Sequence, residues 1–237
     1  MRRIVFCAAI LMSTLSWAAV AGESQRSMFL ELKFSPLTPL IDRPFESVEG
    51  GGPYRTIFGG GPMLLGELEF NYQFFQRAGS LAAGISIGYA EKYGHAHALE
   101  TGEPVSQSTG IHLVPLKALL VYRLDYFSLH YNVPLVPYVK GGFVMMPWWV
   151  TNGAGIEVAN DIRGEGMKYG ASGTVGLSLV LDFLDQRLAR DFDTGMGVNH
   201  TMIFAEYSMQ EMGLFDPSAM TLDLSSRHWS FGLAFEF

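Results

Sequence analysis

Thiol chemistry is what this chain can supply least. Its 237 residues hold one cysteine, Cys7, and that residue lies in the N-terminal leader described below. The rest of the chain therefore has no disulfide and no cysteine-based metal site. Charge is scarce as well: Asp, Glu, Lys and Arg make up 16% of the sequence, against about 25% in an ordinary soluble domain. Basic groups are the scarcer sign, 16 against 23 acidic for a net charge of −7, which argues against nucleic acid as a partner. Beyond the leader, no stretch approaches the roughly 20 apolar residues of a membrane-spanning helix. Calcium-loop spacing is absent. The triplets Gly50 to Gly52 and Gly59 to Gly61 lack the strand-to-helix setting and the lysine of a phosphate loop, and they read as flexible loop residues. No cofactor is expected.

What the chain has is aromatic residues, glycine and alternation. Arg2 and Arg3, an apolar run over 4–17 and Ala19-Val20-Ala21 read as a secretory signal cleaved after residue 21. Residues 22–237 are then one domain, with no Pro/Ser-rich linker to divide them. In 227–237, Trp229, Phe231, Leu233, Phe235 and Phe237 share one strand face. Ser230, Gly232, Ala234 and Glu236 share the other. An apolar outer face opposite small and polar residues is the pattern of a transmembrane β-strand.

Seven further segments repeat it: 28–34, 64–74, 81–89, 116–124, 138–150, 174–183 and 201–207, the last with apolar residues on both faces. Eight is an even number, so the strands can close without an edge. The expected fold is all-β, an eight-stranded antiparallel transmembrane β-barrel. Connections alternate between long (38–62, 94–110, 151–166, 212–226) and short (77–80, 128–133). Short turns belong to the periplasmic side and long loops to the outside, which places both mature termini in the periplasm of a cell with an outer membrane. Tyr89, Trp148, Trp149 and Trp229 then form an outer aromatic girdle, and Phe74, Tyr122, Phe183 and Phe237 a periplasmic one. The connection 184–193 breaks the rule: Leu184, Leu188 and Phe192 recur at helical spacing and predict a short helix at the periplasmic rim.

The blocks "LVPLKALLVYRLDY", "VPLVPYVKGGF", "WWVTNG", "LDFLDQRLARDFD", "GVNHTMIFAEY" and the terminal "GLAFEF" together resemble a myxobacterial-type family of outer-membrane β-barrel proteins. The resemblance covers most of the chain beyond about Glu67. It implies an outer-membrane barrel and brings no reaction or catalytic residue with it.

Inward positions collect Glu31, Glu67, Glu69, Asp182, Glu206 and Glu236 against Lys33, Lys117, Arg123 and Lys140. In a narrow lumen these charges are expected to cross-pair as a plug, because an unpaired charge out of water is costly. The alternative is a polar path for a small solute. Two other clusters are weaker. His95-Ala96-His97 has two imidazoles but no further ligand nearby, and Asn199-His200-Thr201 has no orienting acid. The expected protein is a monomeric, non-enzymatic barrel with a structural, binding or narrow-permeation role. Outer-membrane lipid is its expected partner, and a small solute or extracellular ligand is left open. Two alternatives remain. A lipid-modifying enzyme requires a His, a hydroxyl and an acid to converge on the lipid-facing outer rim. A soluble lipocalin-like carrier requires the opposite facing, apolar inside and charged outside.

Overall fold

The computed structural model describes residues 27–45, 47, 51–77, 79–97, 104–126, 133–153, 155–159, 162–181, 197–215 and 222–237. The expected leader, Asp182, Phe183 and the expected rim helix lie outside the described residues. The wall of the molecule is eight strands: β1 (Met28–Leu37), β2 (Met63–Gln76), β3 (Ser80–His97), β4 in two pieces (Pro104–Leu113 and Leu116–Arg123), β5 (Leu135–Asn152), β6 (Glu165–Val180), β7 (His200–Met212) and β8 (Ser226–Glu236). Every strand pairs antiparallel with its sequence neighbours. β8 returns to β1 through Phe29↔Glu236 to Phe34↔Phe231, so the sheet closes on itself. The seam continues through Phe237, whose N–H donates to Met28 O at 2.8 Å and whose carbonyl accepts from Met28 N at 3.1 Å. Closure pairs the backbone groups that an open edge would leave bare in hydrocarbon.

The alternation read from sequence has one sense all the way round. Leu64, Phe70, Ile85, Leu120, Val175, Phe231 and Leu233 are exposed on the outer wall, Leu64 by 68%, while Glu69 inside is 0% exposed. An apolar belt of this extent exceeds what a soluble monomer shows to water. It overturns the lipocalin-like alternative, which needs these residues inside.

Several strands run further than expected toward the end of the barrel that carries the long loops. β3 reaches His97 and β4 begins at Pro104, so most of 94–110, expected as a loop, is paired wall. The helical and strand patterns of that stretch are weak, but neighbouring strands supply the ladder partners. β4 is interrupted at Val114-Pro115, where proline has no N–H to give. The chain still holds its place, since Val114 N donates to Pro147 O at 2.9 Å and Gly88 N to Pro115 O at 2.8 Å.

The described part of the first long loop carries helical turns. A 3-10 turn (Leu40–Phe45) leads to helix α1 (Pro53–Phe58), whose C-cap Gly59 adopts φ 74°, a left-handed conformation that glycine takes without steric cost. Asp42 accepts from the N–H groups of Tyr54 and Arg55, each at 2.8 Å, and so satisfies donors that a helix start leaves open. Tyr54 is buried, and its hydroxyl donates to Gly61 O at 2.8 Å. Burial and the nearby Asp42 push its pKa up to about 12, so it keeps that proton. Sequence could not show this contact between residues 12 apart.

Trp148 also departs from expectation. It pairs with Leu113 across the strand and packs against the inner apolar cluster, not in the lipid-facing girdle. The girdle positions Tyr89, Phe74 and Tyr122 are exposed, and Trp229 stands exposed beside Tyr207 at 5.3 Å between ring centroids.

A closed barrel of this kind survives mild detergent. The purified protein is expected to migrate differently on a gel with and without boiling and to give a β-type circular dichroism spectrum. Identical migration with a helical spectrum is incompatible with the fold.

Candidate functional site: the charged middle of the lumen

Because inward residues on neighbouring strands share a level, the pairings bring the expected charges together. Glu31 faces Glu69 in the β1–β2 register. Lys33 lies one inward step along β1, and Lys140, Arg123 and Glu206 enter from β5, β4 and β7. The Lys33 ammonium contacts Glu69, Glu206 (3.0 Å) and Glu31 (3.5 Å). Lys140 contacts the same three carboxylates, Glu31 at 2.6 Å, Glu69 at 2.7 Å and Glu206 at 3.4 Å. An ammonium has three protons to donate, so each lysine is matched by three acids. Arg123 joins through Glu31, making three cations against three carboxylates with no net charge.

Two neutral groups complete the cluster that charge counting alone had found. Asn71 donates to Glu69 at 2.9 Å and to Glu31 at 3.3 Å, and the Tyr138 hydroxyl donates to Glu206 at 3.0 Å. The Arg123 guanidinium lies over Phe29, 4.2 Å from the ring centroid, and over Tyr138 at 5.0 Å. These faces cover a cation that would otherwise lack water. Asn71 and Tyr138 sit at inward parity, which was the signal available for them. The small residue opposite each was the other clue: a Cβ at Gly176 would come within 2.3 Å of the Tyr138 ring, and one at Gly84 within 2.0 Å of the Asn71 amide. The room that inward glycines leave is therefore filled by side chains from the next strand.

The remaining expected residues sit apart from the cluster. Lys117 and Glu67 form their own pair at 2.5 Å. Glu236 lies toward the terminus end, within reach of Gln73 at 3.4 Å and His200 at 4.0 Å. His95 is exposed, and the ladder shifts register between His95 and His97. Among the described residues, no group of three or more His, Cys, Asp or Glu forms a metal-holding set. His200 opposes Glu236 in the register, and Asn199 N donates to Glu236 O at 2.6 Å. That stretch is therefore part of the strand seam at the terminus end.

Apolar layers enclose the charges on both sides. At the terminus end, Phe29, Tyr138, Met202, Phe204 and Ala234 pack together. At the loop end, Leu37, Met63, Leu65, Leu113, Val144 and Met146 of the wall pack with Ile41 and Tyr54 of the first loop and Leu224 of the last. The expectation was a lumen closed by charges alone. The part of this layer that went unread is Ile41, Tyr54 and Leu224, which come from loops whose position no periodicity encodes.

A closed antiparallel ring, apolar outside and charged within, defines an integral β-barrel of the outer-membrane class. No family model and no curated protein matches the chain. Among solved structures, it is similar to Neisserial surface protein A at 11% identity and TM-score 0.48, with 89% of this chain and 97% of that one covered. Similarity extends to the outer membrane protein OprG from Pseudomonas aeruginosa, at 12% and 0.45, covering 91% and 98%. The attachment invasion locus protein Ail of Yersinia pestis is similar at 12% and 0.44, covering 91% and 100%. At these values the likenesses bring no activity and no residue role. The barrel assignment rests on strand closure and the facing of the side chains.

Replacing Lys140 by Met removes one cation from a cluster that water does not reach and leaves its acids unbalanced. The loss is expected to be about 3–5 kcal/mol, read as a lower urea midpoint in detergent. Lys140→Met combined with Glu69→Gln restores neutrality and is expected to recover part of it. A single variant as stable as the unsubstituted protein is incompatible with a buried, paired cluster.

Proposed function

We propose that the protein is a sealed outer-membrane barrel with a structural or binding role, and that it does not conduct. The observation that carries this reading is the neutral six-residue ion cluster held between two apolar layers. Eight strands enclose a space that side chains can just fill, and here Lys140 on β5 meets Glu31 on β1, halfway round the ring, at 2.6 Å. An ion entering would have to displace paired charges in a poorly hydrated interior, which is costly.

Loop lengths support an orientation with both termini in the periplasm and the long loops outside the cell. Recognition, in this reading, belongs to the loop end, where the described parts of the first and last loops meet. Arg43 of the first loop reaches Asp223 of the last at 3.2 Å, α1 is held by Asp42, and Lys92 lies over the Tyr54 ring at 5.3 Å. The exposed ion pair adds little stability by itself, but it links two loops that also share the apolar layer. An extracellular ligand or a surface partner is the occupant this platform fits.

In planar bilayers the purified protein is expected to show no steady conductance. Large, porin-like steps from the unsubstituted protein would overturn the sealed reading and favour transport. Replacing Lys117 and Arg123 together with Ala, which strands Glu67 and leaves the central cluster with three carboxylates against two ammoniums, is expected to lower stability or to open a small cation-selective leak.

A further inference from the structure

Outside the lumen, on the lipid-facing wall near the loop end, three adjacent strands bring together a group of polar side chains that the sealed barrel does not need. Glu91 of β3 faces His112 of β4 in the register, and Gly110 of β4 faces Thr151 of β5. The His112 Nε2 lies 3.1 Å from Thr151 Oγ1. On the other side of the ring, Nδ1 lies 2.9 Å from the Tyr89 hydroxyl and 3.5 Å from Glu91 Oε2, and the Tyr89 hydroxyl itself donates to Glu91 at 2.7 Å. Tyr89 spends its proton on Glu91, so its oxygen accepts from Nδ1–H. That fixes the tautomer, and Nε2 is left with a lone pair aimed at the threonine hydroxyl. Trp149 stacks on the imidazole, with centroids 5.1 Å apart and planes 10° apart, and locks its orientation.

We propose that Thr151, His112 and Glu91 form an acyl-transfer site that hydrolyses carboxylic-ester lipids of the leaflet at the loop end. Hydroxyl, imidazole and acid stand in the order that nucleophilic acyl transfer requires, and the exposed Tyr89 and Tyr93 rings beside them are side chains that favour a membrane–water boundary, where an ester and water meet. A groove of about 490 Å³ in the outer wall adjoins the site; Phe34, Gly66, Leu68, Ile87, Tyr89 and Val114 line it. Gly66 lies in register between Phe34 and Tyr89, and its missing side chain opens the groove. Tyr89 is wall to the groove and hydrogen-bond partner to His112, so an acyl chain lying there has its ester end beside the polar group.

In the first step, Nε2 takes the Thr151 proton as Oγ1 bonds to the ester carbonyl carbon. The carbon–oxygen bond to the lipid alcohol breaks, and the alcohol leaves with that proton. Water then attacks the acyl-threonine: Nε2 takes a water proton, the hydroxide bonds to the carbonyl carbon, and Oγ1 leaves and recovers the proton. A free fatty acid is released. Thr151 and His112 touch the reacting atoms, whereas Glu91 and Tyr89 position the imidazole.

The test uses the full chain in detergent–lipid micelles with two probes, p-nitrophenyl octanoate and a long-chain alkyl fluorophosphonate. The fluorophosphonate is expected to label Thr151, with loss of fluoride, as mapped by mass spectrometry of the peptide. Ester turnover is expected to fall by about 100-fold or more in Thr151→Ala and His112→Ala, and Thr151→Ser is expected to retain it. Glu91→Gln is expected to lower kcat with KM unchanged, a split that loss of packing alone would not produce. Heat-modifiable gel migration confirms that each variant is folded. Should His112→Ala fail that check, the unsubstituted protein and Thr151→Ala decide the matter. No label at Thr151, or equal turnover in Thr151→Ala, overturns the proposal and leaves His112 an interfacial packing residue. Neither result bears on conductance, so this site and the sealed lumen fail independently.

Discussion

The contacts of Lys33 and Lys140 with the shared carboxylates of Glu31, Glu69 and Glu206 are the constraint on which the rest of the structure depends. Charges taken out of water are tolerable only when each has its counter-charge and its hydrogen bonds in place. Here two ammoniums and three carboxylates interlock, and Arg123 balances the count. The partners come from β1, β2, β4, β5 and β7, so the cluster ties opposite walls of the ring. A shift of one residue in the register of any of these strands would turn its charge toward lipid. The cluster thereby helps to specify which closed barrel forms.

Everything around the cluster keeps water from it. Phe29, Tyr138 and Phe204 cover it toward the termini, and Leu37, Leu65, Met146 and Tyr54 cover it toward the loops. Low dielectric strengthens each pairing and raises the penalty for an unmatched charge. The apolar layers and the ion cluster therefore reinforce one another. The first loop belongs to this arrangement: α1 places Tyr54 over the barrel mouth, and Asp42 holds the start of that helix.

The outer wall and the lumen divide the labour. Inside, charges are paired and shut away. Outside, near the loop end, Tyr89, Glu91, His112 and Thr151 put a connected set of polar groups next to an apolar groove. A hydrogen-bonded chain that ends on a threonine hydroxyl beside an apolar groove is an arrangement that the charged interior of this barrel does not offer.

Local alternation carried the fold. Leu32 and Phe34 on one face with Glu31 and Lys33 on the other follow from the two-residue period of a strand, and the same rule assigned Lys117, Arg123 and Lys140 to the lumen; Glu206, on a strand with apolar residues on both faces, is placed there by its burial in the closed ring. The sequence by itself therefore determined the eight strand cores and the facing of most of them, though not the extension of β3 and β4 into 94–110. Only the tertiary structure decided who meets whom. That Lys140 bridges Glu31 and Glu69 while Lys117 takes Glu67 depends on strand stagger around a closed ring, and stagger is a property of the whole barrel. The same holds for Tyr54 over the mouth, for Trp148 turned inward on Leu113, and for Glu91, His112 and Thr151. These last three lie on three strands, far apart in the chain, and no period within a strand records a contact across its neighbours.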